Sequence, residues 1–406
     1  MELNQHTLPN GLRIIQAPSA TPVAYGGFTI DAGTRDEADD EQGMAHFVEH
    51  LIFKGTEKRR AWHILNRMER VGGDLNAFTN KEETTIYTAF LADDFARAAE
   101  LLADITFHSV FPSQEIGREV EVILDEIQSY EDSPSELIFD DFEELLFHGH
   151  PLGRNILGDP VRLRGFGSAD ALGWTRRFYT PSNMVFFLRG NVDFRRVVRT
   201  LEKLTGDREL GTSNRRTLPL PLYEPASQTL RRDTHQAHVM LGRRSYDAHS
   251  NRRTGLYLLN NILGGPGMNS RLNVALRERR GLVYNVESNL TSYTDTGVMS
   301  IYFGCDPADV GTCLELVYKE LARLRNVRLT DARLSAAKKQ IIGQIAVASD
   351  NFENLALDMG KTFLHYGRYE DSAELYARIE ALTSSELLDI ANEMFDESTL
   401  STLIYT

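Results

Sequence analysis

Apolar and polar residues alternate in two short stretches near the start of the chain, Gly11-Leu-Arg-Ile-Ile-Gln16 and Val23-Ala-Tyr-Gly-Gly-Phe-Thr-Ile30. That period of two predicts β-strands. The period then lengthens. Met44, Phe47, Val48 and Leu51 recur at helical spacing, which predicts a helix from Asp40 to about Lys54, with Asp39 or Asp40 as its cap and Gly55 as its stop. A strand over Thr84–Phe90 and a helix from Asp94 through Ile105 follow. Next, Ile116, Val120, Ile123, Leu124 and Ile127 form a continuous apolar stripe on a helix capped by Ser113.

The same order returns in the second half: a strand at Ala237–Gly242, a helix from Thr254 to Leu263, a strand at Gly297–Phe303 and a helix from Asp309 onward. Thr84-Thr-Ile-Tyr-Thr-Ala-Phe aligns with Gly297-Val-Met-Ser-Ile-Tyr-Phe. Between the halves, Gly211 to Pro225 carries three prolines among polar residues without helical period, and reads as a linker. A chain of 406 residues suits two or three domains rather than one. The expectation is an α+β fold of two similar domains, 1–214 and 215–406, each a mostly antiparallel sheet packed with helices.

Composition excludes several classes of function. A net charge of −14 argues against nucleic acid as a partner, because phosphate binding needs a basic face. The acidic runs Asp36–Glu41 and Asp140–Glu144 are either solvated helix flanks or the wall of an acidic cavity that attracts cationic peptides. No apolar run reaches the roughly 18 residues of a membrane span. The first residues have neither a basic region nor an apolar core, so the expected location is the cytoplasm. Cys305 and Cys313 are too few for a disulfide framework and are expected to be buried thiols.

Candidate chemistry centres on His46-Phe-Val-Glu-His50. Two imidazoles four residues apart on a helix point the same way and can grip one Zn²⁺. Glu126, on the second amphipathic segment, offers a third ligand, and Glu49 can stay unligated as a base facing the open position. Glu119 and Glu126 are seven residues apart and lie at the border of the apolar stripe, where carboxylates need a cation or donors to stay ionised. In the second half, the positions of His46, Glu49 and His50 fall on Tyr257, Asn260 and Asn261, so that copy has lost such ligands. His148 and His150 flank a turn before Pro151 at a spacing poor for a metal, and His150 is expected to shape the loop leading to Arg154. His63, His108, His235, His238, His249 and His365 show no partner at ligand spacing.

Segments throughout the chain carry a family resemblance. They are Leu8–Arg13, His46–Thr56, Gly72-Gly-Asp-Leu-Asn-Ala-Phe-Thr79, Glu119 to Glu126, Pro151–Gly158 and Ser270-Arg-Leu with Arg280-Gly-Leu-Val-Tyr284. The chain resembles the inverted-zincin metallopeptidases of the pitrilysin and insulinase type, nearest the short two-domain branch that includes mitochondrial processing peptidase. The resemblance implies one zinc per chain held by His46, His50 and Glu126, with Glu49 as general base and Glu119 orienting a ligand. It further implies that Asn76 and Ala77 lie on an edge strand to which peptide substrate adds, and that Arg277 and Tyr284 sit over the scissile carbonyl. Both halves of that machinery occur in one two-domain chain, so the expected assembly is a homodimer whose active sites are completed in trans. The implied activity is zinc endopeptidase action on unstructured peptides. A non-catalytic scaffold or peptide-binding subunit of the same fold is the alternative.

Overall fold

The computed structural model describes residues 3–211, 218–232 and 234–406. By contact the chain divides into two units. The first comprises Met1–Gln128, Arg154–Leu218 and Ser349–Glu370, and the second Ser129–Gly153, Pro219–Ala348 and Asp371–Thr406. These are not the two contiguous stretches 1–214 and 215–406. Residues 212–217, which hold the expected boundary near 215 and part of the linker expected over Gly211 to Pro225, lie outside the described residues.

The first unit is built on a six-stranded sheet: β1 (Asn4–Thr7), β2 (Arg13–Pro18), β3 (Val23–Ile30), β4 (Asp74–Thr79), β5 (Thr84–Leu91) and β6 (Met184–Gly190). Their order is β1-β2-β6-β3-β5-β4, and only β2–β6 is parallel. Alternation assigns the two faces. Ile14, Phe28, Ile30, Ile86 and Phe90 point into one core with helix α1 (Met44–Leu51), while α2 (Ala61–Glu69), α3 (Phe95–Phe107) and α4 (Ser113–Glu131) add their apolar faces to it. On the other face Ile15, Ala17, Val185 and Phe187 meet Ala356, Met359, Phe363 and Leu364 of the helix Phe352–Tyr366. Gly360 makes that approach possible, because a Cβ there would stand 2.6 Å from Phe187 and 2.8 Å from Thr29.

The second unit repeats the plan with β7 (Ser227–Leu230), β8 (Ala237–Ser245), β9 (Val283–Ser292), β10 (Gly297–Cys305) and β11 (Ser401–Tyr405). Its order, β7-β11-β8-β10-β9, is the order β2-β6-β3-β5-β4 of the first unit, with the same single parallel pair. The helix Arg253–Gly264 follows β8 as α1 follows β3, and the helix Val310–Asn326 follows β10 as α3 follows β5. Helix α5 (Pro134–Leu146) covers one face of this sheet, packing Ile138, Phe142 and Leu146 against Met240, Tyr302 and Tyr405. The fold is therefore a duplicated α+β architecture. The departure from contiguous halves has a physical origin: α5 buries its apolar side on the second sheet and Phe352–Tyr366 on the first, each crossing the sequence midpoint.

The acidic runs are structural. Asp36 accepts a hydrogen bond from Gly33 N, Glu37 is buried, Asp39 pairs with Arg154 and Glu41 with Arg177. Asp141 bonds Tyr405 and Arg232, and Glu143 accepts from the Tyr293 hydroxyl. These acids are paired within the fold, which gives them a structural role. Cys305 and Cys313 are free and buried.

Candidate metal centre

Helix α1 is shorter than its apolar period suggested and is not capped by Asp39 or Asp40. It begins after Gly43, whose φ of 94° is open to glycine alone without strain. The carboxylate of Glu37 accepts hydrogen bonds from Gly43 N (3.0 Å) and Ala45 N (2.9 Å), satisfying two N–H groups that the helix start leaves unpaired. Gly43 also lies against Gly158, where a Cβ would stand 2.3 Å from Gly43 Cα. Arg154 donates to Glu37 O (2.8 Å), so the segment Pro151–Gly158 braces the loop that aims α1. Ser113 is the first helical residue of α4 rather than its cap, with Ile116 N bonding Pro112 O.

From these two helices three ligand-type atoms converge. His46 Nε2 and His50 Nε2 are 3.2 Å apart, and Glu126 Oε2 lies 3.8 Å from the first and 3.4 Å from the second. Ligands about 2.1 Å from a shared ion at the tetrahedral angle sit roughly 3.4 Å from one another. The residues therefore fit a zinc ion without rearrangement. They form the one such group of histidine, cysteine or acidic side chains found among the described residues. His50 Nδ1 lies 3.0 Å from Glu119 Oε1, and Glu119 Oε2 is 2.7 Å from Lys54 Nζ. A proton on Nδ1 donated to Glu119 leaves the Nε2 lone pair facing the other ligands.

The electrostatics agree. Burial, then the neighbouring His50, pushes His46 down to about 3, so its imidazole is neutral and free to ligate. Burial lowers His50, but the hydrogen bond and charge of Glu119, with Glu126 and Glu49, more than offset this and raise it. Glu119 ends below the usual carboxylate range: burial raises it, and His50 and Lys54 outweigh that. Glu49 is raised by burial, against the opposing effect of its hydrogen bonds with Thr79. Its Oε2 is buried without a protein partner among the described residues. Thr79 ends β4, and among the described residues β4 is the outer strand of its sheet, bonded to β5 alone. Asn76 and Ala77 sit mid-strand there, opposite Tyr87 and Ile86.

Arg277 and Tyr284 come together in the second unit, with the guanidinium 5.7 Å from the Tyr284 ring. Arg277 lies on the helical turn Asn273–Glu278, and Tyr284, on β9, is 83% exposed and so no core aromatic. Asn260 and Asn261, on the helix Arg253–Gly264, are buried, and Asn260 donates to Ser288 O (2.7 Å). His150 accepts from Leu152 N (3.2 Å) within its loop. His365 pairs with buried Glu83 (3.2 Å).

Sequence reasoning missed Glu37, Thr79 and Lys54. Glu37 had a usable signal, an acid a few residues before a glycine that opens an apolar-periodic helix. Its titration gives an expected result. Burial pushes Glu37 up to about 8, above its ordinary value near 4.5, despite the two backbone hydrogen bonds. The folded state then binds the extra proton between those values, so this group's effect on stability worsens as pH rises through that window and is constant above it. Glu37→Gln should flatten that part of the stability–pH profile in urea melts between pH 5 and 8.

The comparisons with known proteins follow the same line. A family model described as insulinase (peptidase family M16) matches residues 13–160, and one described as the peptidase M16 inactive domain matches residues 166–341. An uncharacterized zinc protease of Bacillus subtilis is 31% identical over 404 residues, covering 99% of this chain and 98% of its own length. Another, from Mycobacterium leprae, is 32% identical over 396 residues, covering 96% and 89%. The crystal structure of a protease from Helicobacter pylori superposes with a TM-score of 0.91 at 21% identity over 100% of this chain and 99% of that one. A structure titled as a peptidase M16 inactive domain from Pseudomonas fluorescens gives 0.91 at 18% identity, covering 100% and 98%. A duplicated α+β scaffold bearing an H-x-x-E-H helix defines a class of inverted-zincin peptidases. The chain belongs to the insulinase family, peptidase family M16. Among the described residues no helix is long and apolar enough to cross a membrane.

Proposed function

We propose that the protein is a zinc-dependent endopeptidase acting on unstructured peptides, with His46, His50 and Glu126 holding the ion and Glu49 as general base. The triangle of ligand atoms, 3.2, 3.4 and 3.8 Å on its sides, carries this reading. Zinc bound there supplies Lewis acidity and draws the pKa of water toward ~7. Glu49, with Thr79 holding it and one oxygen unpartnered, takes a proton from the attacking water and passes it to the leaving amine. Glu119 fixes the tautomer of His50, and Lys54 keeps Glu119 ionised. The open edge of β4, including Asn76 and Ala77, pairs with the backbone of an extended peptide and so selects conformation over side chains. Arg277 and Tyr284 donate to the oxyanion that develops at the scissile carbonyl, a role for which one donor is worth ~3–4 kcal/mol.

The test of activity is digestion of a random peptide library with and without a chelator, read by mass spectrometry. Cleavage that disappears with the metal and returns with zinc supports the reading. Uncut peptides in the presence of zinc favour the second reading, a non-catalytic scaffold or peptide-binding subunit, to which the description of the Pseudomonas fluorescens structure as an inactive domain lends weight.

We further propose a homodimer in which each site combines the metal ligands of one protomer with Arg277 and Tyr284 of the other. Glu49→Gln and Arg277→Ala proteins, each inactive alone, are then expected to recover activity when mixed. Half of the dimers are mixed and each carries one intact site of two, so recovery should approach about a quarter of wild type. No recovery after subunit exchange would show that each chain completes its own site.

A further inference from the structure

The second unit contains an open cleft that the proposed chemistry does not use. It has a volume of about 610 Å³ and lies among the helices Arg253–Gly264, Val310–Asn326 and Asp331–Ala348 and the turn Asn273–Glu278. Its lining includes Ser270, Arg271, Arg279, Glu320, Arg323 and Arg333. Four guanidiniums against one carboxylate leave a local charge of 4 − 1 = +3, inside a chain whose net charge is −14.

The pairing of these groups is unequal. Glu320 is buried and bonds Arg323, which accounts for one of the four cations. Among the described residues the side chains of Arg271, Arg279 and Arg333 have neither an ion-pair partner within 4.0 Å nor a hydrogen bond. Arg279 and Arg333 are exposed and can be satisfied by water. Arg271 is half-buried: burial opposes its charge, Glu320 supports it, and Arg333 and Arg323 oppose it again. A guanidinium offers five N–H donors and cannot shed its proton, so a half-buried one without a partner is costly. Next to it, Ser270 is 3% exposed and its Oγ is buried without a hydrogen-bond partner among the described residues. Arginine forks with a neighbouring hydroxyl are the donor set that tetrahedral oxyanions take, since bidentate N–H pairs match two oxygens of one group.

The duplication sharpens the point. In the first unit, α1 and α4 face each other with His50, Glu119 and Glu126. In the second, Asn261 is the residue that aligns with His50 in sequence, and Ala337 lies as far into its helix Asp331–Ala348 as Glu119 lies into α4. Both Asn261 and Ala337 line the cleft. A ligating histidine and the carboxylate that orients it thus have neutral counterparts there, and arginines line the same cleft.

We propose that this cleft binds a phosphate-type oxyanion, with Arg271 and Ser270 at its base and Arg333 and Arg279 at its mouth. The inference stands independently of the peptidase reading, because every residue invoked belongs to the second unit and none to the metal centre. Free phosphate and the phosphate group of a larger molecule share this chemistry. Titration of the full-length protein with inorganic phosphate, followed by ³¹P line broadening and by thermal melting at constant ionic strength in sodium chloride, tests it. Saturable binding that sulfate displaces and chloride does not is expected. Arg271→Met keeps the stem and should weaken phosphate binding at least ~10-fold, about the discrimination a charged hydrogen bond supplies. Arg333→Gln, at an exposed position that does not threaten folding, should weaken it by a smaller factor, while Arg97→Gln in the first unit should change nothing. Identical phosphate responses of wild type and Arg333→Gln, or a response that sodium chloride reproduces, would overturn the proposal. Once phosphate binding is seen, its displacement by a phosphorylated peptide or nucleotide at lower concentration than phosphate itself would assign the site to a larger ligand, and no displacement would assign it to the free ion.

Discussion

Glu49→Gln protein is expected to lose activity by ~10²–10⁴-fold in kcat, the usual contribution of a positioned general base, with KM nearly unchanged. The substitution is close to isosteric, so Thr79 can still bond the amide and α1 keeps its place. Zinc stoichiometry should stay at one per chain because Glu49 is not among the three converging ligand atoms. Stability should hold or rise, since burial already disfavours the Glu49 carboxylate and the amide removes that penalty. Metal analysis, thermal melting and turnover on one peptide separate these outcomes. A variant that retains more than about a tenth of wild-type kcat would remove Glu49 from proton transfer. A variant that loses its zinc would instead make Glu49 a ligand.

Loss of a ligand should have the opposite signature. His46→Ala, His50→Ala and Glu126→Gln are each expected to abolish both zinc binding and turnover. Wild-type protein stripped by a chelator should regain stability when zinc returns. At free zinc about 100 times Kd that gain is ~2.7 kcal/mol, and none of the three variants should show it. Glu119→Gln should behave differently, because it orients His50 rather than holding the ion. Weakening of zinc affinity by about 10–100-fold, with turnover restored at high zinc, is the expected result. If the zinc-dependent shift in melting survived in His50→Ala, the ion would be held elsewhere.

Much of this site was legible because its parts are local. His46 and His50 occupy one turn of α1, and the spacing alone places both imidazoles on one side. Glu119 and Glu126 recur on one edge of the apolar stripe of α4, which the structure keeps over Ile116, Val120 and Ile123. The strand expected over Val23–Ile30 spans those residues, and the one expected over Thr84–Phe90 spans Thr84–Leu91. What escaped depends on partners distant in sequence. Glu37 looks like its acidic neighbours until Gly43 turns the chain and presents two N–H groups to it. Asp39, Glu41 and Asp141 are read as solvated or cavity acids until Arg154, Arg177 and Arg232 arrive from far along the chain.

The exchange of helices between units was illegible for a related reason. Amphipathic period fixes which side of α5 or of Phe352–Tyr366 is buried, but both sheets offer similar apolar faces. Only packing detail selects between them, such as the close approach of Gly360 to Phe187 and Thr29. The cleft arginines belong to this class too: Arg271 just precedes the turn Asn273–Glu278, Arg323 lies on Val310–Asn326 and Arg333 on Asp331–Ala348, so Arg271 meets the other two only through the fold.

The most direct measurement is an anomalous difference map collected at the zinc edge from crystals of the metal-loaded protein. The account predicts one peak per chain, about 2.0–2.2 Å from His46 Nε2, His50 Nε2 and a Glu126 oxygen, with Glu49 outside bonding distance. Density at another cluster, or none between α1 and α4 in protein shown to contain zinc, would contradict it.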